Sequence, residues 1–169
     1  DNLQEHSLQT AMIAHMLCLI ENKKFGGNYD PEKAAVYAIY HDAAETITGD
    51  MPTPVKYFDD NMRATYGKIE DMANENLVAR LPDEFKEDFK NILCYEDADP
   101  EYKKIVKAAD KLSAYIKCIE EEKYGNSEFV KAKKTIKKFI KDMKLQSADY
   151  FLENFTGAFE KPLDETVMS

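Results

Sequence analysis

The chain has 169 residues, enough to bury a hydrophobic core as a single domain, 1–169, without disulfides. Hydrophobic residues at 44% and charged residues at 33%, interleaved rather than segregated, exclude a disordered chain. A net charge of -9 repels polyanions and argues against nucleic acid as a partner, while an anionic small molecule stays open if a bound cation reverses the local field.

Apolar residues recur at helical spacing throughout and strand-like alternation is missing, so the fold class is all-α. The first helix is expected from about Leu3 to Phe25. Its Ala11–Ile20 section is apolar nearly all round, which marks a helix at the centre of a bundle. That run is about ten residues where a span needs about twenty, and His15 interrupts it, so no membrane segment is expected. His15 itself reads as a satisfied core histidine. Because the chain opens on Asp1 and enters the helical pattern at once, a segment upstream is expected to have been removed or left out.

Gly26-Gly27-Asn28 breaks the first helix. Asp30 is the expected N-cap of the second, with Pro31 in its first turn, and this helix is expected to run through Ala34–Tyr40 and His41 to near Gly49. Asp50-Met51-Pro52-Thr53-Pro54 must then be a loop, since closely spaced prolines cannot continue a helix. Further helices are expected over about Asp60–Leu81, Pro82–Tyr95 and Pro100–Tyr124, the last stopped by Gly125-Asn126. Glu96-Asp97-Ala98-Asp99 reads as a solvated connection. A helix opening at Ser127-Glu128 carries Ile136, Phe139, Ile140 and Met143, and its lysines from Lys131 to Lys144 read as a solvated face. A short helix over Ala148–Phe159 and a loose tail after Pro162 complete the chain. Cys18, Cys94 and Cys118 are odd in number and without a C-x-x-C pattern, so they read as reduced thiols in a cytoplasmic protein.

The chemistry centres on His41-Asp42. An unpaired carboxylate at the end of an apolar helix costs several kcal/mol of desolvation, about what a cation would offset. Adjacent helical residues point about 100° apart, so this pair reaches an ion from two sides only and further ligands must come from elsewhere. His6, in Glu5-His6-Ser7, and Asp110, in Ala108-Ala109-Asp110-Lys111-Leu112, are polar residues in apolar settings. Ile105, Ala109, Leu112, Ile116 and Ile119 form a stripe that puts Asp110 beside the core. Two imidazoles and two carboxylates suit one divalent ion such as manganese, iron, cobalt, nickel or zinc, with magnesium also admitted, and leave positions for water and a substrate oxygen.

Glu45 follows His41 by four residues and Asp42 by three, which puts its carboxylate on the same face, as general acid or base. Asp50, Thr53 and Lys56 stand where a sugar hydroxyl or another substrate group could be held, although Lys56 and Lys111 read as solvated or ion-paired lysines. An open metal site with a carboxylate one turn away fits a metal-dependent phosphohydrolase. A phosphodiester or triphosphate hydrolase and a non-catalytic metal-binding module stay open at this point.

The segments Glu5-His6-Ser7, His41-Asp42-Ala43-Ala44-Glu45, Thr48-Gly49-Asp50-Met51-Pro52-Thr53-Pro54-Val55-Lys56-Tyr57-Phe58 and Ala109-Asp110-Lys111-Leu112 together resemble the HD-domain 5'-deoxynucleotidases of the YfbR type, over about the first two thirds of the chain. The resemblance implies an HD-domain helical bundle of about six to eight helices. It implies a cytoplasmic homodimer that hydrolyses deoxyribonucleoside 5'-monophosphates to deoxynucleoside and phosphate. It implies a metal on His6, His41, Asp42 and Asp110, catalytic roles for Glu45 and Asp50, and substrate contacts at Asp42, Asp50, Met51, Pro52 and Thr53, with Asp50 near the sugar 3'-hydroxyl. The family also carries an arginine and a tryptophan ahead of the first histidine, and this chain has no Trp.

Overall fold

Asn2 starts the first helix, α1 (Leu3–Lys24), through a capping box: its side chain accepts from the Glu5 backbone N–H, and the Glu5 carboxylate accepts from the Asn2 backbone N–H. Residues 2–51, 55 and 58–161 are described by the computed structural model. Asp30 caps α2 (Pro31–Tyr40) by accepting from the Lys33 N–H, with Pro31 at the position where a missing donor costs nothing. Further helices among the described residues are α3 (Glu45–Thr48), α4 (Asp60–Ala79), α5 (Asp83–Leu93), α6 (Tyr95–Ala98), α7 (Glu101–Lys123), α8 (Phe129–Asp142), α9 (Gln146–Asn154) and α10 (Gly157–Glu160). Among the described residues there is no strand. The expected loop after Gly49 is seen at Asp50 and Met51; Pro52, Thr53, Pro54 and the tail after Pro162 lie outside the described residues.

Three expected helices are broken where side chains or backbone angles intervene. The long helix to Gly49 stops at Tyr40, and residues 41–44 form tighter turns in which Ala43, Glu45 and Thr46 N–H groups donate to the carbonyls three residues back. Here the Ala38 carbonyl is engaged by His41 Nδ1 at 2.7 Å, which competes with the ordinary i+4 bond. The Pro82–Tyr95 helix breaks at Cys94 (φ -110, ψ 38), and the solvated connection that follows takes the form of a helical turn, Tyr95–Ala98, with Glu96, Asp97 and Ala98 exposed. The last helix divides at Phe155, and Thr156 donates its hydroxyl back to the Leu152 carbonyl. Gly125, at φ 85, closes α7 as expected, with Asn126 N–H donating to Glu121 and Gly125 N–H to Glu122.

The core lies where α1, α2 and α7 meet. Ala14, Leu17 and Cys18 of α1, Ala34 and Ala38 of α2, and Ile105, Ala108, Ala109 and Leu112 of α7 have no exposed surface. The alanines let these helices approach closely, so polar residues at their ends are brought together too. α8 and α9 close the far side, where the buried Glu21 carboxylate accepts from the Ser147 N–H in the first turn of α9 at 2.9 Å. Two expectations are corrected at the margins. His15 is half-buried at the edge of the core rather than within it. Phe139 is exposed on α8, while its neighbour Ile140 is fully buried, because one helical step of about 100° carries a side chain off the narrow apolar face.

Candidate metal and substrate site

His6, His41 and Asp42 converge so that one ligand atom from each lies within 4.8 Å of the others. They come from the second turn of α1 and from the tight turn after α2. Asp42 Oδ2 lies 3.0 Å from His41 Nε2 and 3.7 Å from His6 Nε2. Asp110 joins from α7, its Oδ1 3.4 Å from His6 Nε2. The four residues expected from the sequence are therefore neighbours, and the helix break at Tyr40 does not separate them: His41 keeps a right-handed helical backbone (φ -58, ψ -32).

The hydrogen bonding of His41 bears on what can occupy this point. Its Nδ1 faces the Ala38 carbonyl, which can only accept, so Nδ1 carries the proton and a neutral ring offers a lone pair at Nε2. That Nε2 is buried and faces a carboxylate oxygen, Asp42 Oδ2, at 3.0 Å. A lone pair set against a carboxylate is unfavourable unless a proton or a metal ion lies between them. Burial disfavours the imidazolium, but Asp42, by hydrogen bond and charge, and Asp110 together hold the His41 pKa above its ordinary value. Burial likewise opposes ionisation of Asp110, yet His6, Lys111, Lys107 and His41 hold its carboxyl well below the usual carboxylate range. Asp110 is thus ionised, with Oδ1 turned to His6 and Oδ2 turned to Lys111 at 3.1 Å and Lys107 at 3.6 Å. Two imidazole nitrogens and two carboxylates fit a divalent transition ion.

Two cavities open from the cluster. The larger, about 680 Å³, is lined by His6, Asp42, Glu45, Asp50, Met51 and Asp110, with Lys107, Lys111 and Lys117 and, at another wall, Ala114 and Phe129. The smaller, about 230 Å³, shares Asp42, Glu45, Lys107 and Asp110 with it, and adds His41, Glu70, Asp71, Glu96 and Asp97. Charge separates them: the larger has cations to meet a phosphate, whereas the smaller is ringed by carboxylates. Glu45, the first residue of α3 and half-buried, borders both. Asp50 is exposed and follows Gly49, whose φ of 71 turns the chain sharply there. Ser113, which sequence reasoning missed, lies one turn after Asp110 with its Oγ 3.2 Å from His6 Nδ1.

The fold is that of the HD-domain phosphohydrolases. One such enzyme from Listeria innocua, 24% identical, matches with a TM-score of 0.78 over 94% of this chain and 76% of its own. A conserved hypothetical protein from Pyrococcus furiosus, 27% identical, matches with a TM-score of 0.60 over 92% of this chain and 80% of its own. Residues 1–159 match the YfbR-like 5'-deoxynucleotidases, and the chain belongs to that family. It is 47% identical to a 5'-deoxynucleotidase of Shewanella oneidensis and 45% identical to 5'-deoxynucleotidase YfbR of Escherichia coli. Each match covers 165 residues, or 98% of this chain and 85% and 83% of the respective relative.

Proposed function

We propose that the protein is a metal-dependent 5'-deoxynucleotidase that hydrolyses deoxyribonucleoside 5'-monophosphates to deoxynucleoside and phosphate. The observation that carries this reading is the buried His41 Nε2 set 3.0 Å from Asp42 Oδ2, with Asp42 in turn lining the cavity that presents Lys107, Lys111 and Lys117. His6, His41, Asp42 and Asp110 are the residues that would hold the ion. A divalent ion there supplies Lewis acidity toward a phosphoryl oxygen and toward water. Its identity among cobalt, manganese, zinc, nickel, iron and magnesium is for metal analysis to decide.

In the reaction a water oxygen forms a bond to phosphorus, the bond from phosphorus to O5' breaks, and one proton passes from the water to O5'. Glu45 moves that proton, a role supported by its position at the border of the cavity one turn beyond Asp42. Lys107 and Lys111, already beside Asp110, offset the carboxylates' repulsion of an incoming phosphate. Asp50 accepts from the sugar hydroxyl, and Met51 packs beside it, both on the cavity wall. Pro52 and Thr53 continue the same substrate segment on the strength of the resemblance. Asp42 would touch both ion and substrate.

The cavity volume falls within the range of small-ligand sites, about 300–1,000 Å³, and suits a single nucleotide. No helix among the described residues is long and apolar enough to cross a membrane. We infer a homodimer in the cytoplasm, where the free Cys18, Cys94 and Cys118 are kept reduced. The test is phosphate release from a panel of deoxy- and ribonucleoside 5'-monophosphates, with each metal restored after chelation. Release from deoxynucleotides above ribonucleotides is expected. Release only from diesters or triphosphates, or from nothing with any metal, overturns the proposal.

A further inference from the structure

His6 and Gln9 lie one turn apart on α1, and Asp110 and Ser113 lie one turn apart on α7, so the two pairs face each other across the helix contact. Ser113 is 1% exposed, in an apolar stretch of α7 where a bare hydroxyl would be costly. Its Oγ donates to Gln9 Oε1 at 2.6 Å and lies 3.2 Å from His6 Nδ1. A serine hydroxyl has one proton. With that proton given to Gln9, Ser113 can only accept from His6, so His6 carries its proton on Nδ1 and presents a lone pair at Nε2. That Nε2 is the atom facing Asp42 and Asp110.

We propose that Ser113 and Gln9 are positioning residues that fix the tautomer and ring orientation of His6 for the ion. The inference rests on His6 being a ligand, as proposed above. The two histidines reach one arrangement by different means. His41 is set by the Ala38 backbone carbonyl, which no substitution removes, whereas His6 depends on side chains that can be changed. The sense of the relay is set at its far end, by Gln9 accepting. Without an acceptor there, the Ser113 hydroxyl turns to donate to Nδ1, the proton moves to Nε2, and the lone pair is lost to the site. Partners of this kind typically contribute about 10–100-fold to metal affinity.

The experiment uses the whole chain, stripped of metal and then titrated with Co²⁺ or Zn²⁺ against a competing chelator. Imidazole ¹⁵N NMR of the metal-free protein, at a pH where the rings are neutral, reads which nitrogen holds the proton. Wild type should show His6 protonated on Nδ1. Ser113→Ala and Gln9→Leu should each move the proton toward Nε2 and weaken affinity about 10–100-fold. Gln9→Glu, which can only accept from Ser113, should retain tautomer and affinity, and Ser113→Cys, a weaker acceptor of similar size, should recover part of both. If Ser113→Ala does not fold in chelator, Gln9→Leu against Gln9→Glu carries the same comparison at a half-exposed position. Wild-type tautomer and affinity in Gln9→Leu, with affinity lost in His6→Ala, overturn the relay alone. Unchanged affinity in His6→Ala overturns the ligand assignment beneath it.

Discussion

Two polar clusters flank α2, and they are built on opposite terms. Near its start, Lys33 Nζ lies 2.6 Å from Asp99 Oδ2, the Tyr37 hydroxyl donates to the same carboxylate, and the Asp30 N–H donates to the Tyr102 hydroxyl at 2.9 Å. Burial and Asp99 together push the Tyr37 phenol up to about 12, so it remains a donor. Each charge there meets its complement, and Lys33 also lies over the rings of Tyr37 and Tyr102. Beyond the helix end, Asp42 and Asp110 face the Nε2 atoms of His41 and His6. The first cluster is complete with the chain's own atoms, whereas the second has acceptors in excess. Balanced donors and acceptors therefore indicate a structural network here, and an excess of acceptors around a cavity indicates a place for a cation.

The largest effects should fall at the acceptor-rich end. Asp110→Ala should lose metal and turnover together, which metal analysis beside phosphate release would show; full metal content in that variant would contradict the ligand assignment. Glu45→Ala should keep its metal and lose about 10²–10⁴-fold in kcat. A wild-type rate would remove Glu45 from proton transfer. At the balanced end the consequences should be confined to stability. Tyr37→Phe deletes one donor to a carboxylate and should cost about 1–2 kcal/mol, a fall in Tm of roughly 2–8 °C, with kcat unchanged. The smallest effect concerns acid. Lys33 and Tyr37 hold the Asp99 carboxyl below the usual range. That contribution is present above the unfolded pKa of about 3.9 and is lost as pH falls through the lower folded value. Asp99→Asn should flatten this acid limb in urea unfolding measured between neutral pH and about pH 3. An unchanged slope would mean that Asp99 carries no such coupling.

Periodicity made most of the helices legible. Asp30 with Pro31, and Gly125 with Asn126, mark ends by local chemistry that can be read without a structure. The apolar stripe from Ile105 to Ile119 placed Asp110 beside the core, where it lies. The breaks at His41 and Cys94 were hidden, because the first involves a side-chain contact with a carbonyl three residues back and the second a backbone angle with no glycine or proline to announce it. His6, His41, Asp42 and Asp110 were legible as a set because their residue types are rare in apolar segments. Ser113 was not, since a lone serine in a helix carries no pattern until its neighbours across the interface are known. The relative disposition of the two cavities was equally hidden, as Glu70 and Asp71 reach the site from α4 by packing alone.

The tight turn at 41–44 brings one ligand pair against α1 and α7, helices drawn from opposite halves of the sequence, so an ion seated there would knit distant parts of the chain like a removable staple. Folding and metal supply then become linked quantities: at a free ion concentration about a hundred times Kd, the folded state gains about 2.7 kcal/mol. The melting temperature of this protein would accordingly serve as a gauge of how much metal its surroundings provide.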